Sequence, residues 1–179
     1  MAHPIKHFRT ITRHRHFVIA HCAKAGILWQ GLRHDLSKYS PTEFIPGAIF
    51  YQGDRSPNEK ERELYGASLA WLHHKGRNRH HYEYWTDYNP KTKRPEPVEM
   101  PLRYVIEMFC DRVAASKIYK ADNYTDEEPY IYFLRVKGKH RMHENTEAQL
   151  NELLEMLRDE GEEKTFAHIR RLLKERRRG

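Results

Sequence analysis

The sequence predicts an all-α fold in a single domain with at least five main helices. Three observations carry this. Apolar residues recur at spacings of three and four over most of the chain. Several of these runs open with helix-start chemistry. No glycine-rich loop joins a strand pattern to a helix pattern, and there is no internal repeat or low-complexity stretch, so phosphate-binding-loop and dinucleotide-binding folds are excluded. A chain of 179 residues is ordinarily one domain.

In chain order, the first helix covers residues 8 to 30 through Phe8, Ile11, Val18, Ile19, Cys22, Ala25 and Leu28, with Gly26 a weak point and Gly31 an end. "DLSKYSPTEF" reads as a short helical turn, a break at Ser40-Pro41 and a new helix start. "SPNEKERELYGASLAWLHH" opens with Ser56 as N-cap, Pro57 in the first turn and Glu59 completing a capping box, so a helix is expected from 57 to about 75. Three prolines in the stretch from Tyr88 to Pro97 predict a loop, with "WTDYNPKTKRPEPVEM" the longest in the chain. A helix follows over about 99 to 120. The C-terminal helices begin near 146 and are divided at Gly161.

Composition narrows the partners. The formal charge is +7, and thirteen histidines add to it in mild acid. That balance favours phosphates, nucleotides or nucleic acid. No apolar run is long enough to cross a membrane, and the N-terminus lacks the apolar core of a secretion signal. Cys22 and Cys110 form no CxxC pair and suit core positions in a reducing cytoplasm.

Chemistry concentrates in four places. "GLRHDLSKYS" holds an adjacent His34 and Asp35; two short ligands about 100° apart can converge on one ion or on two neighbouring ones. Beside the apolar Leu32 and Leu36 they would be costly to bury unpaired, and a divalent cation removes that cost. Lys38, three residues on, can reach a phosphate oxygen bound there. In "MPLRYVIEMFCDRVAASKIY", Asp111 lies in line with Tyr104, Met108, Ala115 and Ile118, so a carboxylate on an apolar face needs Arg112, a histidine or a metal as partner. Glu107, one turn earlier, offers paired carboxylates whose repulsion calls for a cation. On the first helix, His14 and His21 are seven apart on nearly one face, and the spacing favours them over His16 as inward groups. Finally, "WLHHKGRNRHHYEYW" carries two histidine doublets.

With "HRHFV", "HDLSK" and "MFCDRVAAS" in hand, the chain resembles the HD-domain superfamily of metal-dependent phosphohydrolases. It is most similar, over nearly its whole length, to a group of small HD-like proteins that share "GLRHDLSKYSPTEF", "SLAWLHHKGRNRHHYEYW" and "MFCDRVAASKIY". The resemblance implies metal ligation by His14, His34, Asp35 and Asp111. Members with two metals carry two further histidines between the HD pair and the last Asp, which here come from the doublets. On an unbroken helix seven residues span about 10.5 Å, too far for one ion. Gly76 and Asn78 suggest a helix end that folds the second doublet back. His74 and His81 are the expected ligands, with His80 a close rival for metal or substrate and His73 an outer member. Two-metal members that cleave cyclic dinucleotides have Gly-Tyr-Pro after this region; "YEYW" stands here instead, so that activity is not implied.

The function expected is hydrolysis of a nucleotide or other small phosphate ester with one or two divalent ions (Mn, Fe, Zn or Mg). Asp35, Lys38 and His80 are the candidate catalytic residues. Arg77 and Arg112 are further phosphate ligands to consider, and Trp71, Tyr82, Tyr84 and Trp85 are candidate pocket walls. Two other classes stay open. The HD fold is also reported with a di-iron centre that activates oxygen, and the basic residues interleaved with aromatics suit a nucleic-acid groove without catalysis.

Overall fold

The computed structural model describes residues 2–138 and 141–176; the last three residues of the basic C-terminal run lie outside them. Eight α-helices are described: α1 (Pro4–Ala25), α2 (Leu28–Arg33), α3 (Pro41–Ile49), α4 (Pro57–Tyr65), α5 (Leu69–Arg77), α6 (Leu102–Lys120), α7 (Glu128–Val136) and α8 (Glu144–Glu175). One small antiparallel hairpin, β1 (Thr86–Asn89) and β2 (Arg94–Pro97), joins α5 to α6. The fold is therefore all-α, as the periodicity predicts. None of the described helices is long and apolar enough to cross a membrane.

The core forms around α6, whose Val105, Ile106, Met108, Phe109, Cys110, Val113 and Ala114 are all buried. Val18, Cys22 and Ala25 of α1 pack against it from one side, and Leu150, Leu153, Leu154, Leu157, Phe166 and Ile169 of α8 from another. Both cysteines are free and lie in this core. The C-terminal division falls where it was expected: Gly161 has φ +77° and ψ 174°, outside helical space, and α8 bends there.

Three expectations are corrected. The helix over 8–30 ends at Ala25, and a separate α2 follows. The helix over 57–75 is two helices, because Gly66 takes φ +77° as the C-cap of α4, and Ser68 then caps α5 by accepting a hydrogen bond from the Trp71 N–H. Leu64 and Ala67 are consequently exposed, and they do not share a face with the buried His74. The segment read as a loop contains the hairpin, with Thr86 opposite Pro97 and Tyr88 opposite Pro95. Prolines two residues apart share one phase of the ladder, the phase in which the backbone N–H points away from the partner strand, so both are tolerated.

The joint between α1 and α2 positions the HD pair. Gly31 lies so close to α1 that a Cβ placed on it would stand 2.6 Å from the Cys22 Cβ and 3.2 Å from the Ile19 Cα. Gly31→Ala is therefore expected to cost about 1–3 kcal/mol through overpacking. A thermal unfolding scan should show a fall of roughly 3–10 °C for a domain of this size; an unchanged midpoint would mean that the joint yields freely.

Candidate metal centre

Four segments converge on one buried volume. On α1 the inward face is His7, Ile11, His14, Val18, His21, with His16 exposed, as the spacing favours. His34 caps the C-terminus of α2, and Asp35 follows at φ +54°, ψ +24°, in left-handed backbone space. The pair thus sits in a sharp reversal between helices, not on a helix as the 100° argument assumed. Asp is among the few residues that tolerate this conformation, and local strain of order 1 kcal/mol is common at functional sites. The reversal turns both side chains inward, to 1% and 2% exposure, while Leu32 and Leu36 beside them remain exposed. The pair is buried by α1, α5 and α6, not by its leucine neighbours. A 3₁₀ turn over Leu36–Tyr39 then swings Lys38 back, placing its Nζ 2.6 Å from Asp35 Oδ2.

The two oxygens of Asp35 face different partners. Oδ2 is 3.2 Å from His34 Nε2 and 3.9 Å from His14 Nε2. Oδ1 is 3.3 Å from His74 Nε2 and 3.5 Å from His80 Nε2. Asp111 closes the first set, its Oδ1 3.0 Å from His14 Nε2 and 3.4 Å from His34 Nε2. His81 closes the second, its ring 4.0 Å from that of His80 and 4.8 Å from that of His74. The sequence-predicted residues His14, His34, Asp35 and Asp111 thus form one group with potential ligand atoms within 4.8 Å of one another, and Asp35, His74, His80 and His81 form a second. The structure brings both members of the second doublet in, where the sequence favoured His81 over His80. It does so because α5 ends at Arg77 and the chain turns back through Asn78.

Two further carboxylates, on the outer side of the histidines, hold them in place. Glu107 Oε1 lies 3.1 Å from His34 Nδ1 and 3.3 Å from His80 Nδ1, and its Oε2 accepts from Gln30 Nε2 at 2.7 Å. Glu43 accepts from His74 Nδ1 at 2.7 Å and from His73 Nδ1 at 2.6 Å. With Nδ1 facing these carboxylates, His34, His74 and His80 turn Nε2 to the centre, the nitrogen that ligates once the ring is neutral, although, against burial, Asp35 and the other carboxylates beside His34 and His74 favour the charged form of those two in the absence of a cation. His73 belongs to neither group.

The electrostatics follow from burial and proximity. Burial alone would push the Asp35 and Asp111 carboxyls up, but the imidazoles around them, with Lys38 beside Asp35, hold both well below the usual range. Burial likewise opposes ionisation of Glu107, yet its bonds to His34 and His80 bring it down to about 2. Burial pushes the His14 and His81 imidazoles down, toward the neutral form that ligates.

Other candidates fall outside. Arg77 is exposed, and Arg112 packs over the Tyr132 ring. His21 stacks on Phe166, with its Nε2 3.7 Å from Glu162. Of the aromatics, Trp71 stands beside His74 and His81, while Tyr82 and Trp85 pack on the core. In "KGRNRHH" the arginines point out and the histidines in, so the stretch does not form one basic strip.

Residues 3–156 match a family of unknown function, DUF5662. The chain belongs to that family. The DUF5662 span includes every residue of both groups as well as Glu43, Glu107 and Lys38, and it ends within α8 before the bend at Gly161. No curated protein and no solved structure matches the chain.

Sequence reasoning missed Glu43 and treated Glu107 only as a possible partner of Asp111. The spacing of four to Asp111 was a usable signal for Glu107; nothing local marks Glu43. Glu107→Gln is expected to lower metal affinity by about 10- to 100-fold, the usual effect of removing an outer carboxylate. Titration of the apo protein with Mn²⁺ or Zn²⁺ measures it, and an unchanged affinity would mean that Glu107 only fills space.

Proposed function

We propose that the cluster holds two divalent cations and hydrolyses a phosphate ester, the chemistry that the HD-type resemblance implies. One observation carries the reading. His14 Nε2, His34 Nε2, His80 Nε2, His81 Nε2 and Asp35 Oδ1 are buried and without a hydrogen-bond partner among the described residues, and Asp35 Oδ2 has the Lys38 ammonium at 2.6 Å beside it. Buried polar atoms are ordinarily paired. Here they crowd to 3.0–3.9 Å yet are misdirected for hydrogen bonds. Ligands about 2.1 Å from a shared ion stand roughly 3.0–3.4 Å from one another, so the His14–Asp111, His34–Asp35, His34–Asp111 and His74–Asp35 separations of 3.0, 3.2, 3.4 and 3.3 Å suit coordination. The imidazole and carboxylate donors fit Mn, Fe or Zn.

In this reading His14, His34 and Asp111 would hold one cation and His74, His80 and His81 the other, with Asp35, whose two oxygens face the two groups, serving both. A cation so placed supplies Lewis acidity toward a phosphoryl oxygen and acidifies a water. Lys38, partly open to solvent, neutralises a phosphoryl oxygen. Glu43 and Glu107 keep the imidazoles aimed. The reaction adds water to phosphorus and breaks the bond to the ester oxygen, which leaves as an alcohol.

The test is elemental analysis of protein purified without a metal-chelating tag, alongside a phosphate-ester panel assayed with and without oxygen. The expected result is close to two transition-metal ions per chain and oxygen-independent phosphate release. Bound iron with oxygen uptake and no phosphate release would move the assignment to oxygenase chemistry. No bound metal, with salt-sensitive binding of nucleic acid, would overturn it.

A further inference from the structure

A cavity of about 130 Å³ adjoins the second group of ligands. Lys38, His74, His81 and Trp71 form the end nearest the cluster, and His7, Thr10, Tyr51, Asn58 and Tyr119 are among the residues around the rest. From this cavity we infer that the ester hydrolysed is a small hydroxylated phosphomonoester, with an alcohol part the size of glycerol or a triose, and not a nucleotide. The inference rests on the phosphate-ester reading above.

Size argues first. A cavity of roughly 150 Å³ holds one benzene, about six non-hydrogen atoms. Glycerol has about the same number, and a nucleoside about three times as many. Residues 51–56, several of which line the cavity, are braced. Arg55 donates to both carboxylate oxygens of Glu63, at 2.7 and 3.3 Å, and to Gln52. That guanidinium ties the 51–56 segment to α4 and is already engaged.

The lining argues next. Thr10 Oγ1 and the Tyr51 hydroxyl are 2.9 Å apart, each with bonding capacity left for a substrate hydroxyl. His7 is buried, with the Phe44 ring tilted against it and the Tyr51 ring edge-on to it. Burial and the nearby Lys38 bring its pKa down to about 4, so near neutral pH it is an uncharged donor and acceptor. A Cβ on Gly47 would stand 2.3 Å from His7 Nε2, so α3 presses directly on this imidazole and fixes it as a wall.

Charge argues last. Lys38 and Arg55 are the basic side chains among the lining residues; both already hold a carboxylate, Arg55 that of Glu63 and Lys38 that of Asp35, and of the two only Lys38 stands beside the ligand groups, while Glu43 lies on the same cavity. One phosphoryl group beside Lys38 is matched. A second phosphate farther in would meet no free cation.

The experiment compares kcat/KM of the Mn-loaded full chain for glycerol 2-phosphate and dihydroxyacetone phosphate with that for AMP and UMP. The small esters are expected to exceed the nucleotides by at least about tenfold. Arg55→Ala, at a surface brace, and Tyr51→Ala, which removes a wall, should each shrink that ratio by at least about threefold, with circular dichroism confirming the fold. Equal or better turnover of the nucleotides overturns the inference and leaves the phosphate-ester reading standing. If metal is bound but no ester of either kind is turned over, the hydrolase reading falls. Calorimetric titration of the Mn-loaded protein with glycerol 2-phosphate and AMP then decides the inference alone: preference for AMP, or binding of neither, overturns it.

Discussion

Asp35→Asn is expected to lower kcat by at least about 10³-fold and to take the metal content from about two ions per chain to one or none, with the helical circular dichroism signal retained. The choice of asparagine matters. Asp35 stands at φ +54°, where most side chains are strained, but asparagine enters left-handed space almost as readily as aspartate. The substitution therefore keeps the chain reversal and removes only the charge and one acceptor. One oxygen of the wild-type carboxylate faces His14 and His34, the other His74 and His80. An amide offers one acceptor, and its NH₂ end turns a donor toward whichever group it faces, where only a lone pair can ligate. Removal of one preorganised electrostatic contact commonly costs 10²- to 10³-fold, or about 2.7–4 kcal/mol; Asp35 serves both halves, so the upper end is expected. Wild-type turnover with two ions in Asp35→Asn would show that the carboxylate is not shared.

The second large effect separates the four histidines of the doublets. His74→Ala and His80→Ala should each lose about one ion per chain and at least about 100-fold in turnover, and His81→Ala should lose the same ion. His73→Ala should fall less than about fivefold, because its imidazole meets Glu43 and neither ligand group. His80 is the sharpest case. Its Nε2 looks at Asp35 and its Nδ1 at Glu107, and the residue is 1% exposed. Metal content per chain, read beside turnover for the four single variants, distinguishes the roles. Loss of activity with metal content unchanged in His74→Ala and His80→Ala would reassign both to substrate binding. Loss of the ion in His73→Ala would redraw the second group.

What the sequence made legible here was local. His14 and His21 are inward because residues seven apart on an α-helix share a face, a rule that needs no knowledge of the partner helices. The HD pair is conspicuous because two ionisable ligands stand together. The left-handed backbone that aims them is not legible, since Asp35 reaches it through the packing of α2 on α1 at Gly31. Glu43 was missed because its partners His73 and His74 are thirty residues on, and an acidic residue in "PTEFIP" looks like one facing water. Gly66 was absorbed into a helix because the strong start at Ser56-Pro57 outweighed a single glycine, yet that glycine sets where α5 begins. The hairpin was hidden by its own prolines, which mark loops unless the register is known. The choice between His80 and His81 depended on how the chain re-enters after α5, which spacing does not encode.

Glu107 has a consequence for how the centre fills. A single carboxylate oxygen lies against an imidazole of each ligand group, and the other oxygen is fastened to Gln30 on α2. His34 and His80 therefore share one tether, and Asp35 links the same two groups from the other side. In a centre that takes two ions as proposed, an ion that immobilised either imidazole would also immobilise its neighbour, so the first would bear most of the ordering entropy and the second would find a site already rigid. Occupancy would then rise as a pair, a sample at limiting metal holding mostly empty and doubly loaded chains.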